Sequence, residues 1–125
     1  GRIEWLEGDL LAPLRGRLRE GAVDVIVSNP PYISGADWAG LEPEVRVFEP
    51  RMALVGGEQG TEFHERLLRE SREFLVPGGL LVMEMGAGQA ATVRQLAERI
   101  GGYAGLRIIE DAAGIERVVM AQRLT

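Results

Sequence analysis

Cysteine is absent from the 125 residues, so neither a disulfide framework nor a thiolate metal site can be built. No apolar run approaches the roughly 20 residues that a membrane-spanning helix needs, and no signal-peptide pattern opens the chain. Together these absences fit a cytoplasmic protein with no membrane partner, and no metal site is expected. An excess of basic charge is missing too: 14 Lys and Arg face 19 Asp and Glu, a net charge of −5. Duplex nucleic-acid binders carry a basic surface, so direct nucleic-acid binding is not expected. No internal repeat or low-complexity tract interrupts the chain, and its length bounds it to one domain or part of one.

What is present is enough apolar content for a packed core, 46%, and 17 glycines that punctuate the periodic segments. Residues 3–7 alternate apolar and charged and read as a short strand ending on Gly8-Asp9-Leu10-Leu11. Residues 13–20 read as a poor helix or a loop. Residues 23–28 are a β-branched run of the kind that is buried on both faces of a parallel sheet. Residues 33–60 have no clean period, apart from a helical turn around residues 42–47; a loop of that length inside a compact domain carries function or moves. Residues 61–75 place Phe63, Leu67, Leu68, Phe74 and Leu75 on one side of a helix, with Thr61 as its cap and Val76-Pro77-Gly78-Gly79 as its stop. A second buried strand follows at 80–85 and a second helix at 89–100, stopped by Gly101-Gly102. Strands at 106–110 and 118–122 are joined by only a few residues and therefore pair antiparallel. Strands alternating with helices give an α/β fold, three-layered around a mostly parallel sheet whose last strand runs antiparallel.

The 23–28 strand stops on Asn29-Pro30-Pro31-Tyr32. Two prolines remove two backbone donors and bias the residues before them to extended conformations. A rigid loop therefore stands at the carboxyl end of a strand, where open α/β sheets bind ligands. The nitrogen of an amide or of an aromatic amine is a poor nucleophile because its lone pair is delocalised. The Asn29 side-chain oxygen and the Pro30 carbonyl can each accept one N–H of such an NH₂ group, fixing it and favouring pyramidal geometry. Tyr32 can stack on the planar group. Orientation and electrostatic complementarity are then the catalytic contributions, with no side-chain base required.

Asn-Pro-Pro-Tyr after a hydrophobic strand resembles the signature of S-adenosylmethionine-dependent amino methyltransferases. The wider pattern resembles the HemK/PrmC-type protein-(glutamine-N5) methyltransferases, which modify the Gln of a Gly-Gly-Gln motif in peptide-chain release factors. Gly8-Asp9-Leu10, Asn29-Pro30-Pro31-Tyr32-Ile33, Glu49-Pro50 with Ala53-Leu54, Gly56-Gly57, Gly78-Gly79, Glu84-Met85-Gly86, Gln89 and Asp111-Ala112-Ala113-Gly114-Ile115-Glu116-Arg117-Val118 fall in the family's order. One departure is Glu58-Gln59-Gly60 where an Asp-Gly pair commonly follows the double glycine. The resemblance implies a Rossmann-like class I methyltransferase fold and S-adenosyl-L-methionine as cofactor, with a release factor as protein substrate. It implies that Asn29, Pro30, Pro31 and Tyr32 hold the target amide, and that Asp9 meets the adenine amino group, Leu10 an adenine ring nitrogen, and Asn29 the cofactor side of the site. It also implies that residues 1–125 are the C-terminal part of the catalytic domain. In the family's strand order, 3-2-1-4-5-7-6, they supply strands 3 to 7 and lack the first two strands, the glycine-rich cofactor loop and the N-terminal helical domain. Residues 3–7 then have no neighbour, and the 23–28 strand has an open edge that invites self-association; the chain by itself is expected to be inactive.

Other readings stand beside these. The tetrapeptide is shared with nucleic-acid amino methyltransferases acting on adenine N6 or guanine N2, and a non-catalytic piece that only packs or binds is a further alternative. Glu84-Met85-Gly86-Ala87-Gly88-Gln89-Ala90, with Glu110 ending the next strand, imitates a glycine-rich cofactor loop, but Ala90 stands where a third glycine belongs. Asp9 alone reads as a turn or cap residue, His64 as a surface residue, Trp38 as loop packing or a partner contact, and Glu49 with Arg117 as a structural ion pair. The charges Glu65-Arg66, Arg69-Glu70 and Arg72-Glu73 read as a solvated helix face.

Overall fold

The computed structural model describes residues 2–30 and 60–124. After a 3₁₀ turn at Ala12–Leu14, the elements are β1 (Val23–Ser28), α1 (Glu62–Phe74), β2 (Leu75–Glu84), α2 (Ala90–Ile100), β3 (Tyr103–Glu110) and β4 (Glu116–Arg123). The sheet order is β1-β2-β4-β3. β1 and β2 run parallel, while β4 is antiparallel to both β2 and β3. That is the order 4-5-7-6 that the resemblance implies, and β1 stands at the edge as expected, paired on one side only among the described strands.

α1 forms because its apolar residues recur at helical spacing while its charges pair along the opposite face: Arg69 with Glu65 at 3.2 Å and Arg66 with Glu70 at 3.5 Å. Thr61 occupies the cap position but makes no side-chain cap bond. The helix ends at Phe74 because Leu75 is already extended and belongs to β2. The strand thus begins five residues earlier than expected. Pro77-Gly78-Gly79 is a break inside β2 rather than a linker: pairing jumps from Val23 opposite Leu75 to Val25 opposite Leu80. Only glycine fits position 79, where a Cβ would lie 2.9 Å from the Val76 carbonyl oxygen and 3.0 Å from that of Asp24. α2 ends at Gly101, φ +75. Arg72 donates to the Ile100 and Gly101 carbonyls at 3.0 and 3.4 Å, so it caps α2 instead of facing solvent as expected.

Both helices lie on one face of the sheet, against Ile26, Leu81, Met83, Val119 and Ala121, and this is the core. Tyr103 joins the layers, its hydroxyl donating to the Leu68 carbonyl at 2.6 Å. Burial pushes that phenol's pKa up to about 12. The described residues therefore make two layers where three were expected. Val27, expected to be buried on both sides, is 73% exposed, because it points to the face that no described helix covers. Residues 3–7 form no strand, and Trp5 is 87% exposed. A strand is stable only beside a hydrogen-bonded neighbour, and no described strand lies next to them. No described helix is long and apolar enough to cross a membrane.

Candidate active site at the carboxyl edge of the sheet

β1 and β2 run parallel, so their carboxyl ends emerge together, with Ser28 opposite Met83. Asn29 and Pro30 follow directly. Pro30 is buried and Asn29 exposed, which anchors the backbone while leaving the carboxamide accessible. Its oxygen is an acceptor and its nitrogen a donor. Pro31, Tyr32, Trp38, Glu49 and the expected helical turn at 42–47 lie outside the described residues.

Beside Asn29, the end of β2 is held by three different elements. The Glu84 carbonyl oxygen lies 2.8 Å from His64 Nε2 on α1. The Met85 N–H donates to the Arg117 carbonyl at 2.7 Å. The Gly86 N–H donates to Gln89 Oε1 at 2.8 Å, and Gln89 Nε2 donates to the Gly60 carbonyl at 3.4 Å. The Met85 and Gly86 amides are thus occupied internally. The segment 84–90 has the strand–turn–helix shape of a cofactor loop, but these two donors are not available to an anion.

Asp9 and Leu10 reach α1 from the N-terminal segment. The Asp9 carboxylate pairs with Arg66 on α1 at 2.8 Å, across 57 residues of sequence. That hydrogen bond raises the Arg66 pKa above its ordinary value. Arg66 also stands 5.6 Å from the centre of the Phe63 ring. Leu10 has φ +51, a left-handed conformation uncommon for a branched apolar residue, and packs on the core. Backbone outliers of this kind concentrate at ligand sites. Asp9 and Leu10 therefore sit on a strained, exposed loop tied to α1, while Asn29 and Pro30 sit on the sheet edge. β2 and α1 connect the two through His64.

Closing the edge, Asp111 Oδ1 accepts the Ala113 and Ile115 N–H groups at 2.8 and 3.0 Å. Its Oδ2 meets Arg117 Nε at 3.3 Å. These bonds, that from Ile115 foremost, hold its pKa below the ordinary carboxylate value. Arg117 thus has a structural partner within its own hairpin.

The structure places His64 differently from the surface position that the sequence suggests: the residue is fully buried. The signal was available: positions 64, 67, 68 and 71 fall at i, i+3, i+4 and i+7, and all four are buried. Burial lowers the pKa of this imidazole below 6.5, against opposing effects of the Glu84 carbonyl and the Glu62 carboxylate. Among the described residues, no group of three or more His, Asp and Glu side chains is placed to hold a metal.

No family model matches the chain. Over 118 residues it is 44% identical to the release factor glutamine methyltransferase of Geobacter sulfurreducens, covering 94% of this chain and 40% of that protein. The corresponding protein of Moorella thermoacetica is 43% identical over 122 residues, 98% of this chain and 41% of its own length. The chain thus spans about two fifths of the curated relatives that it matches. Among solved structures, the protein-(glutamine-N5) methyltransferase (release factor-specific) of Alicyclobacillus acidocaldarius superimposes with a TM-score of 0.52 at 28% identity, over 89% of this chain and 52% of that one. A methyltransferase from Pyrococcus furiosus, 23% identical, superimposes with a TM-score of 0.58 over 85% of this chain and 43% of that one. The fold is a partial Rossmann-like methyltransferase fold.

Proposed function

Because nearly the whole chain is similar to a stretch of release factor glutamine methyltransferases, we propose that it is the C-terminal part of such an enzyme's catalytic domain. The full-length protein then methylates N5 of a glutamine side chain, within a Gly-Gly-Gln motif of a peptide-chain release factor, in the cytoplasm. The observation that carries this reading is the exposed Asn29 carboxamide mounted on a buried Pro30 at the carboxyl end of β1.

Asn29 Oδ1 and the Pro30 carbonyl each accept one N–H of the substrate amide, and Tyr32 stacks on its plane. Held in this way, the nitrogen turns its lone pair toward the methyl donor instead of into the amide π system. S-adenosyl-L-methionine, when bound, supplies an electrophilic methyl group on a sulfonium. On transfer the new N–C bond would form as the S–C bond broke, the sulfur keeping that electron pair as a neutral thioether, and the nitrogen would release one proton to solvent. The acceptors on Asn29 and Pro30 stabilise the positive charge that develops on nitrogen before that proton leaves.

Asp9 suits the cofactor's adenine: its exposed carboxylate can accept from an amino group, and the Leu10 backbone N–H would meet a ring nitrogen in the same reading. Asp9 now pairs with Arg66, but both partners are substantially exposed. Exchanging such a pair for a ligand contact costs only about 0–1 kcal/mol.

Methyl transfer from labelled cofactor tests the proposal in the full-length protein. A release factor should be labelled, and a release factor whose Gly-Gly-Gln glutamine is changed to alanine should not. Asn29→Ala should lower the rate by about 10²-fold or more while changing cofactor affinity only a few-fold. Label entering DNA or RNA instead would favour the nucleic-acid reading, and an active Asn29→Ala enzyme would remove the role given to Asn29.

A further inference from the structure

His64 is the chain's single histidine, and helical spacing sets it on the inner face of α1 with Leu67, Leu68 and Ser71. The Glu84 carbonyl 2.8 Å from Nε2 can only accept, so Nε2 carries the proton. Nδ1 is then a bare acceptor, buried and without a hydrogen-bond partner among the described residues. A polar atom left in that state costs stability, and an apolar side chain would fill the same space without that cost. The one thing His64 supplies that leucine or phenylalanine would not is the donor to Glu84.

That donor acts at a particular place. Ser28 pairs with Met83, so Asn29 lies beside Glu84 at the point where both strands leave the sheet. The next two amides, of Met85 and Gly86, are held by β4 and by Gln89. The Glu84 carbonyl is the point at which α1 grips the same turn.

We propose that His64 is a positioning residue for methyl transfer: its Nε2–H holds the end of β2 against α1, and so fixes the strand that flanks Asn29. This rests on the functional reading above. The charged group acting on the imidazole from its own helix is Glu62, and β2 meets it through the Glu84 carbonyl. Burial outweighs both and keeps the ring neutral at neutral pH. In acid the cation gains an Nδ1–H with no acceptor among the described residues, and the ring leaves its seat. A misplacement of about 1 Å can lower a rate about 10²-fold, so the rate should fall on the acid side.

The test compares wild type, His64→Phe and His64→Gln in the full-length enzyme with a release factor as substrate. His64→Phe should lower kcat about 10-fold or more, with KM for release factor and cofactor within about twofold. His64→Gln presents an amide N–H near the place of Nε2 and does not titrate. It should recover kcat to within about threefold and lack the wild-type acid limb below about pH 6.5. Wild-type kcat in His64→Phe, a glutamine variant as slow as the phenylalanine one, or an unchanged acid limb in His64→Gln each overturns the inference. If His64→Phe does not fold by circular dichroism, the comparison of wild-type and His64→Gln pH profiles decides alone. A wild-type enzyme that does not methylate a release factor refutes the functional reading and this inference with it; an active wild type with indifferent variants refutes the inference only.

Discussion

Removing the Gln89 side chain should loosen one amide far more than its surroundings. Gly86 is buried, and its N–H donates to Gln89 Oε1 at 2.8 Å. In Gln89→Ala that donor loses its acceptor beneath the end of β2. A buried unpaired donor costs about 1–3 kcal/mol, and each 1.4 kcal/mol is about tenfold in an equilibrium. Opening of this turn should therefore become about 5- to 150-fold more frequent, and the Gly86 amide should exchange with deuterium faster by the same factor. Gln89→Glu separates the two ends of the side chain. The carboxylate still accepts from Gly86, more strongly because it is charged, but cannot donate to the Gly60 carbonyl. Its Gly86 exchange should stay within about twofold of wild type, while protection near residue 60 falls. Hydrogen exchange read residue by residue reports both effects. Unchanged Gly86 exchange in Gln89→Ala would show that the bond contributes nothing to closing the turn, and the end of β2 would then be held, among the described residues, only by His64 and the Arg117 carbonyl.

Two further outcomes follow from burial. Leu68 is fully buried in the core, so Leu68→Ala should cost about 2–5 kcal/mol in urea unfolding; a loss below 1 kcal/mol, on the order of a surface substitution, would contradict that packing. The lowered His64 pKa means that the unfolded chain binds its proton more readily than the folded one. The stability tied to this group is complete above about pH 6.5 and is lost as pH falls through that value, levelling off once the folded-state pKa is passed. His64→Gln should flatten that slope, and a variant whose stability falls with pH as wild type does would refute the assignment.

Local chemistry made most of the architecture readable. The β-branched run gave the bounds of β1, and helical spacing gave α1 to within one residue at each end. The short joint at Asp111–Gly114 implied the antiparallel β3–β4 pair. What escaped depends on contacts distant in sequence. Pro77-Gly78-Gly79 carries every local mark of a linker, and only pairing with β1 makes it part of β2. Residues 3–7 alternate as a strand does, yet alternation supplies no hydrogen-bonding neighbour. Arg66 meets Asp9 and Arg72 meets the end of α2 across the fold, where no periodicity reaches. At the candidate site, the exposed Asn29 and buried Pro30 agree with a rigid ligand-facing loop. The burial of His64 is legible in the spacing of positions 64, 67, 68 and 71, which an apolar stripe phased on Phe63 hides.

The break in β2 also bears on the order in which the chain assembles. Val23 meets Leu75, so β1 can pair only after a loop of about 50 residues closes. The β3–β4 hairpin closes over the few residues between Glu110 and Glu116. Closure entropy grows as the logarithm of loop length, and this roughly tenfold difference handicaps β1 by about 2 kcal/mol. Nascent structure should therefore start in the C-terminal hairpin with α2, and β1 should dock last. Pulse-labelled amides of Ile108 and Val119 should be protected before that of Ile26, and the reverse order would contradict this. Asn29 would then be assembled only when the rest of the sheet already exists as a template.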